Sequence, residues 1–161
     1  MSDTAKRVVL VTGGFDPIHR GHISYIREAK KLGDVLVVGI NSDKWLVDKK
    51  GIFFMRLEDR YAVVQEFESV DHIVGFNDWD GTAKDAINRC LELFPDAVIV
   101  FANGGDRTEG NIPEMDIDSD RVEFVFGVGG EDKKNSSSWI LEEYLTRVRE
   151  YKESLTNEEK S

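Results

Sequence analysis

The chain has 161 residues, 40% of them hydrophobic, which predicts one domain with a buried core. Its formal net charge of −10 argues against nucleic acid as a partner, because binding a duplex requires a basic surface. The first residues lack the apolar run of a signal peptide, no stretch reaches transmembrane length, and Cys90 is the single cysteine. We therefore expect a protein of the reducing cytoplasm that contacts no membrane.

Strands and helices alternate along the sequence. Short apolar, β-branched runs predict strands at residues 7–12, 35–41, 71–76, 96–101 and 122–126. Apolar residues at helical spacing predict helices at residues 23–32, 57–67, 81–94 and 136–151. Loops are expected at residues 43–54 and 104–120, and residues 152–161 are expected to form a polar, frayed tail.

This alternation predicts an α/β fold, with a single Rossmann-like domain over residues 1–151. Helices are expected on both faces of a five-stranded, mostly parallel sheet. The strand order 3-2-1-4-5 follows if the first and fourth strands flank the switch point. The loops after strands one, four and five then meet at the carboxyl edge of the sheet, where ligands bind in such folds.

The junction between the first strand and the first helix carries an unusual motif. Residues 13–22 have the sequence GGFDPIHRGH, which places His19 and His22 at a helix N-terminus. The free N–H groups and the dipole of a helix start attract anions, and glycine lets a ligand approach the backbone. The motif therefore predicts a site that holds phosphate.

The motif resembles the HxGH signature of the cytidylyltransferase-like nucleotidyltransferases. Further matches follow in the family's order: Lys50-Gly51, Arg60 at a helix start, GGD at residues 104–106 and NSSSWI at residues 135–140. The resemblance covers residues 8–145. Within the family, the sequence is similar to both the heptose 1-phosphate adenylyltransferases and the glycerol-3-phosphate cytidylyltransferases. Residues 52–56 lack the Arg-Pro pair of the first group, and residues 131–134 lack the Arg-Thr-Glu-Gly of the second.

The resemblance implies an enzyme that transfers a nucleoside monophosphate to a phosphorylated small polyol or sugar and releases pyrophosphate. The donor is CTP or ATP, and the choice stays open because base recognition in such folds leaves little side-chain signature. The identity of the acceptor stays open as well. Mg²⁺ is expected to accompany the triphosphate, no metal ligand is assigned, and the resemblance also implies a homodimer.

The resemblance assigns catalysis to His19, His22 and Lys50. As pyrophosphate leaves, the α-phosphorus gains negative charge, which positioned N–H donors stabilise without a general base. The resemblance assigns nucleotide binding to the motif at residues 13–22, the GGD segment and the serine run. The residues are Gly13, Gly14, Phe15, Asp16, Gly21, Gly105, Asp106, Ser136, Ser137 and Ser138. Further cations are expected at the phosphates: Lys44 and Arg60 on the second substrate, and Lys133 and Lys134 on the triphosphate.

Several of these residues also fit a structural role. The serine run fits a helix N-cap, and Asp16 fits a residue that shapes the turn before a proline. Arg60 fits one half of a surface ion pair with Glu58 or Asp59 on the same helix. The sequence leaves both interpretations open for these residues.

Two other functions remain possible from the sequence. Residues 9–14 resemble the start of a dinucleotide-binding oxidoreductase or epimerase fold, but that fold needs glycines where Pro17, Ile18 and His19 stand. It also needs an acidic residue at the end of the second strand, which Asp43 matches only loosely. The other alternative is a nucleotide-binding module without catalysis. Pyrophosphate release separates the enzyme from both.

Overall fold

The structure of the chain is a computed structural model that describes residues 6–105, 110, 112–129 and 136–160. Within these residues the strands are β1 (Arg7–Gly13), β2 (Val35–Ile40), β3 (His72–Val74), β4 (Val98–Gly104) and β5 (Val122–Val128). The α-helices are α1 (Arg20–Lys30), α2 (Asp43–Lys50), α3 (Leu57–Val64), α4 (Lys84–Leu93) and α5 (Ser137–Lys160). A short 3-10 helix spans Pro113–Asp116.

The sheet confirms the predicted fold class and topology. All neighbouring strands are parallel, and their order is β3-β2-β1-β4-β5. Alternate side chains of the central strand β1 enter two separate cores. Leu10 packs in the core that contains Ile87 of α4, and Val9 packs in the core that contains Ile26 of α1. Helices therefore cover both faces, as a parallel sheet requires.

Residues 43–50 form α2, where the sequence predicted a loop. The Ser42 side chain caps the helix by accepting the Trp45 amide, and Gly51 ends it in the left-handed conformation with φ 88°. Leu46 is the buried residue of this helix. One inward side chain in two turns produces no apolar periodicity, so the pattern could not reveal this helix.

Other element boundaries also differ from those predicted. α1 begins at Arg20 because His19 serves as its N-cap, which adds a turn before the apolar spacing starts. α3 ends at Val64, before the predicted end at residue 67, and Tyr61 is exposed. This helix instead turns Arg60 and Val64 inward.

α5 continues to Lys160, so it does not end at Tyr151 before a frayed tail. None of its residues is buried, and ion pairs one turn apart, such as Arg147 with Glu143, support it locally. The tail has no glycine or proline to stop the helix.

Among the helices that the structure describes, none is both long and apolar enough to cross a membrane.

The turn between α1 and β2 depends on a close backbone approach at Gly33. A Cβ there would lie 2.7 Å from the Arg7 carbonyl oxygen and 2.8 Å from a methyl group of Val9. We expect Gly33→Ala to lower the free energy of unfolding by about 1–3 kcal/mol, as overpacking does. Gly75→Ala is the control, since its Cβ would meet nothing within 4 Å. Urea unfolding checks this prediction, and equal stability of the two variants would contradict it.

Candidate active site

A cleft of about 530 Å³ opens at the carboxyl edge of the sheet, within the size range of small-molecule sites. Its walls are the turn after β1, the first turns of α1 and α5, the end of α2 and the ends of β4 and β5. Most of the predicted site residues line it: Gly13, Gly14, Phe15, His19, Gly21, His22, Lys50, Gly105, Ser136, Ser137 and Ser138. The fold therefore brings together residues that are far apart in sequence.

Backbone amides hold the two histidines in one orientation. The Gly21 amide donates to Nδ1 of His19 at 3.0 Å, and the His19 amide donates to Nδ1 of His22 at 3.2 Å. The two ring centroids are 3.9 Å apart. A neutral imidazole that accepts through Nδ1 carries its proton on Nε2. Each neutral ring therefore has an Nε2–H donor, and both rings line the cleft.

The environment of His22 keeps this imidazole neutral. Burial, followed by the electrostatic effects of His19 and Lys50, lowers the pKa of His22 from 6.5 to about 3. His22 also meets the edge of Phe15, with ring centroids 4.9 Å apart. Phe15 has φ 49°, in the left-handed region, and its ring is buried, so core packing offsets the cost of this backbone conformation.

Lys50 enters the cleft from the last turn of α2. Its Nζ donates to the backbone carbonyl oxygen of Asp16 at 3.2 Å. Burial lowers the pKa of Lys50 below its ordinary value; Asp16 opposes this shift and the Arg60 charge adds to it. Lys50 is thus a partly buried cation beside the histidine turn.

Asp16 was expected to bind nucleotide, but its carboxylate does not line the cleft. The side chain is 1% exposed, and its two oxygens accept the amides of Phe54 and Met55, each at 2.6 Å. This matches the alternative structural role, although the bonds reach a distant segment and not only the local turn.

Arg60 was expected to contact substrate, and the structure places it elsewhere. Its guanidinium is buried and donates to the carbonyl oxygens of Met55, Gly14 and Asn41. It forms an ion pair with Asp43 at 2.6 Å, not with Glu58 or Asp59. A guanidinium whose side chain has no exposed surface does not reach a ligand in this conformation.

Lys44, the other expected substrate contact, also lies outside the cleft. Its Nζ pairs with Asp48 at 2.6 Å on the exposed side of α2. The reason is helical geometry: residues 44 and 48 share one face, whereas Trp45, Lys49 and Lys50 turn toward the cleft. Lys49 lies over the Trp45 ring, 4.6 Å from its centroid.

The serine run begins α5 at the mouth of the cleft. The Ser136 hydroxyl oxygen accepts the Trp139 amide at 3.1 Å, so this serine is an N-cap as the structural alternative predicted. The Ser137 hydroxyl donates to the Pro17 carbonyl oxygen at 2.8 Å and ties the helix to the histidine turn. Ser138 lines the cleft and is exposed. Asp106, Lys133 and Lys134 lie outside the described residues.

Sequence reasoning missed several polar residues of the cleft. Thr12, Asn41 and Asn103 lie at or just after the ends of three adjacent strands, and all line it. A polar residue at the carboxyl end of a parallel strand is a signal that could have identified them. Tyr25 of α1 also lines the cleft, and its hydroxyl donates to the Ala102 carbonyl oxygen.

Comparison with known proteins gives a consistent result. A family model described as cytidylyltransferase-like matches residues 10–142. The bifunctional protein HldE of Geobacter metallireducens is 33% identical over 144 residues, which are 86% of this chain and 28% of that protein. HldE of Hahella chejuensis is 36% identical over 128 residues, which are 78% of this chain and 24% of that protein. The chain thus spans 28% or less of the length of these two relatives.

Solved structures share the fold. The lipopolysaccharide core biosynthesis protein from Thermoplasma volcanium superposes with a TM-score of 0.57 at 29% identity, over 76% of this chain and 95% of that chain. A Vibrio parahaemolyticus protein described as a nicotinate-nucleotide adenylyltransferase superposes with a TM-score of 0.59, over 85% of each chain. The second likeness, at 17% identity, concerns the fold alone.

The lowered pKa of His22 predicts a pH dependence of stability. Below pH 6.5 the unfolded chain binds a proton at this residue, whereas the folded chain does so only near pH 3. The free energy of unfolding should therefore fall as pH falls through this window, by up to about 1.4 kcal/mol per pH unit from this group. Urea unfolding at pH 7.5 and pH 5.0 measures it. The stability of wild type relative to His22→Asn should be lower at pH 5.0, and an unchanged difference would contradict the shifted pKa.

Proposed function

The chain belongs to the cytidylyltransferase-like nucleotidyltransferases, and from this membership we propose that it transfers a nucleoside monophosphate to the phosphate of a small sugar or polyol. In this reaction a phosphate oxygen of the acceptor forms a bond to the α-phosphorus of a nucleoside triphosphate. The bond from the α-phosphorus to the leaving pyrophosphate breaks. The product is a nucleotide linked to the acceptor through two phosphates.

The histidine pair is the observation that carries this proposal. Both Nδ1 atoms accept backbone amides, so each neutral ring has one N–H donor, on Nε2. Negative charge grows on the α-phosphoryl oxygens in the transition state, and donors held in advance stabilise it at little reorganisation cost. The acceptor phosphate is already an anion, so the site needs no base to activate it.

The positions of Lys50 and the serine run support roles at the other phosphates. Lys50 lies at the histidine turn, where an ammonium offsets the repulsion between an anionic acceptor and an anionic triphosphate. The first turn of α5, with the exposed Ser138, lines the cleft. We assign this helix start to the β- and γ-phosphates, which leave as pyrophosphate.

The acceptor class rests on the relatives. The Thermoplasma volcanium protein is named for lipopolysaccharide core biosynthesis, and the core of lipopolysaccharide is built from sugars. A phosphorylated sugar or polyol is therefore the acceptor that we propose. CTP and ATP remain the two candidate donors.

We propose that Mg²⁺ enters with the triphosphate and is not held by a site made of protein ligands alone. The described residues contain no group of three or more His, Cys, Asp or Glu side chains arranged to hold a metal ion. Mg²⁺ commonly binds substrate phosphates and keeps several waters, which fits such a cleft. We expect excess EDTA to abolish turnover and added Mg²⁺ to restore it. Full turnover in EDTA would contradict this proposal.

The direct test of the proposed function is a pyrophosphate-release screen. ATP, CTP, GTP and UTP are each paired with a panel of sugar phosphates and polyol phosphates, and with no acceptor as a blank. Pyrophosphate release that depends on both substrates supports the proposal. Tight triphosphate binding without release for any pair would favour the nucleotide-binding module without catalysis.

Each histidine should contribute mainly to the transition state. We expect His19→Ala and His22→Ala each to lower kcat by about 10²–10³-fold, the usual loss for one transition-state donor. KM for the triphosphate should change far less, because the interaction strengthens only as charge develops. Steady-state kinetics measure both constants. Arg27→Ala, an exposed position on the same helix, is the control, and near-normal kcat in both histidine variants would refute the catalytic assignment.

Lys50 should act on the acceptor half of the reaction. We expect Lys50→Ala to raise the acceptor KM and lower kcat while triphosphate binding stays nearly intact. Lys50→Arg should keep only part of the wild-type activity, because a planar guanidinium does not replace a compact ammonium. Lys44→Ala on the outer face of the same helix should leave the kinetics unchanged. Equal kinetics for the Lys50 and Lys44 variants would remove Lys50 from the site.

A further inference from the structure

Two buried charged side chains beside the cleft have no part in the proposed chemistry. Asp16 and Arg60 are each 1% exposed, and both form hydrogen bonds to the backbone of Met55. The Met55 amide donates to Asp16 at 2.6 Å, and the Met55 carbonyl oxygen accepts from Arg60 Nε at 2.9 Å. Charged groups seldom enter a protein interior unless several partners hold them there.

The partners of Arg60 belong to segments that carry catalytic candidates. Its Nη1 donates to Gly14 in the histidine turn at 2.8 Å and to Asn41 after β2 at 2.6 Å. Its Nη2 pairs with Asp43, the first residue of the helix that ends in Lys50. One guanidinium thus joins the turn that carries the histidines to the helix that carries the lysine.

Asp16 completes the same connection beyond the end of that helix. Its carboxylate accepts the Phe54 and Met55 amides, and its backbone carbonyl oxygen accepts from Lys50 Nζ. The segment with Lys50 is therefore fixed at its start through Asp43 and after its end through Phe54 and Met55. Loops at a sheet edge lack ladder hydrogen bonds, so these side chains supply the backbone partners.

We propose that Arg60, together with Asp16, is a positioning residue that fixes Lys50 at its working distance from His19 and His22. This inference rests on the proposed nucleotidyl transfer for its kinetic consequence, but its geometric content is independent of that reaction. The guanidinium touches no substrate. Its function is to fix the position of the helix that carries Lys50 relative to the turn that carries the histidines, since a displacement of about 1 Å can lower the rate about 100-fold.

Arg121 offers a matched comparison within the chain. Its guanidinium also donates to three carbonyl oxygens, those of Leu91, Phe94 and Ala97, and so ties α4 to the start of β4. These carbonyls do not line the cleft. Loss of Arg121 removes comparable hydrogen bonds without disturbing the histidine turn or α2. It therefore separates a general loss of stability from a loss of positioning.

The kinetic test uses Arg60→Gln, Arg60→Lys, Asp43→Ala and Arg121→Gln at a temperature where circular dichroism shows each variant folded. Asp43 is partly exposed, so its variant keeps the test available if the Arg60 variants do not fold. We expect Arg60→Gln to lower kcat by about 100-fold, with the Kd for triphosphate within about threefold of wild type. Asp43→Ala should also lower kcat, but by less than Arg60→Gln. Arg60→Lys should not restore kcat, because an ammonium cannot reach all four acceptors that the Arg60 guanidinium binds. Full activity in Arg60→Lys, or an equal loss in Arg121→Gln, would overturn the proposal.

A second readout does not require turnover. The chain has three histidines, so their imidazole signals can be assigned by NMR with single substitutions. In wild type His22 should stay neutral from pH 8 to pH 5, consistent with its pKa of about 3. In Arg60→Gln and Asp43→Ala the histidine turn should open to water and Lys50 should move away from His22. The His22 imidazole should therefore begin to titrate above pH 5 in these two variants. In Arg121→Gln, His22 should stay neutral at pH 5, as in wild type. Unchanged His22 titration in both cleft variants would refute the positioning role, whereas a wild type without pyrophosphate release refutes only the proposed function.

Discussion

The parallel pairing of β1 with both β2 and β4 is the constraint on which the candidate site depends. Parallel strands end at the same edge, so the residues that follow them converge whatever their separation in sequence. Thr12, Asn41 and Asn103 meet in one cleft for this reason. The crossover after β1 then places the start of α1 above that edge, and with it both histidines. Neither imidazole would face a ligand site if the order of the central strands changed.

Under the cleft lies a layer of buried polar side chains that serve the backbone. Asp78 accepts from the Asn41 side chain and from both the amide and the hydroxyl of Ser42. Asp16 and Arg60 hold the next segments in the same manner. A buried charge that loses its partners is strongly destabilising, so each of these residues specifies one loop conformation among many. These hydrogen bonds therefore hold described segments of the cleft that have no regular structure, which favours donors that are oriented in advance.

The sequence predicted the fold and much of the candidate site because those signals are local. Short apolar runs that alternate with segments of helical periodicity predict a parallel sheet, and few strand orders are compatible with such a sheet. The histidine turn lies directly at a strand-to-helix junction, and the serine run begins the helix that follows the last strand, so their place at the edge follows from the topology. The short α2 was missed because Leu46 alone faces inward and its capping residues act without any apolar pattern. Lys44 and Lys50 are on one helix, and only the helix phase decides which of them enters the cleft.

What the sequence determined by itself was the membership of the nucleotidyltransferase family and the set of side chains at the cleft: a turn with two histidines, a nearby lysine and a hydroxyl-rich helix start. What only the tertiary structure decided was which charged side chains line the cleft and which bind the protein's own backbone. Arg60 was expected to contact substrate or to pair with a neighbour on its helix, because its actual partners Gly14, Asn41 and Asp43 are distant in sequence. Asp16 looked like a ligand contact because its own partners lie beyond α2. A side chain's role depends on the long-range acceptors and donors that folding brings around it, and no local pattern encodes these.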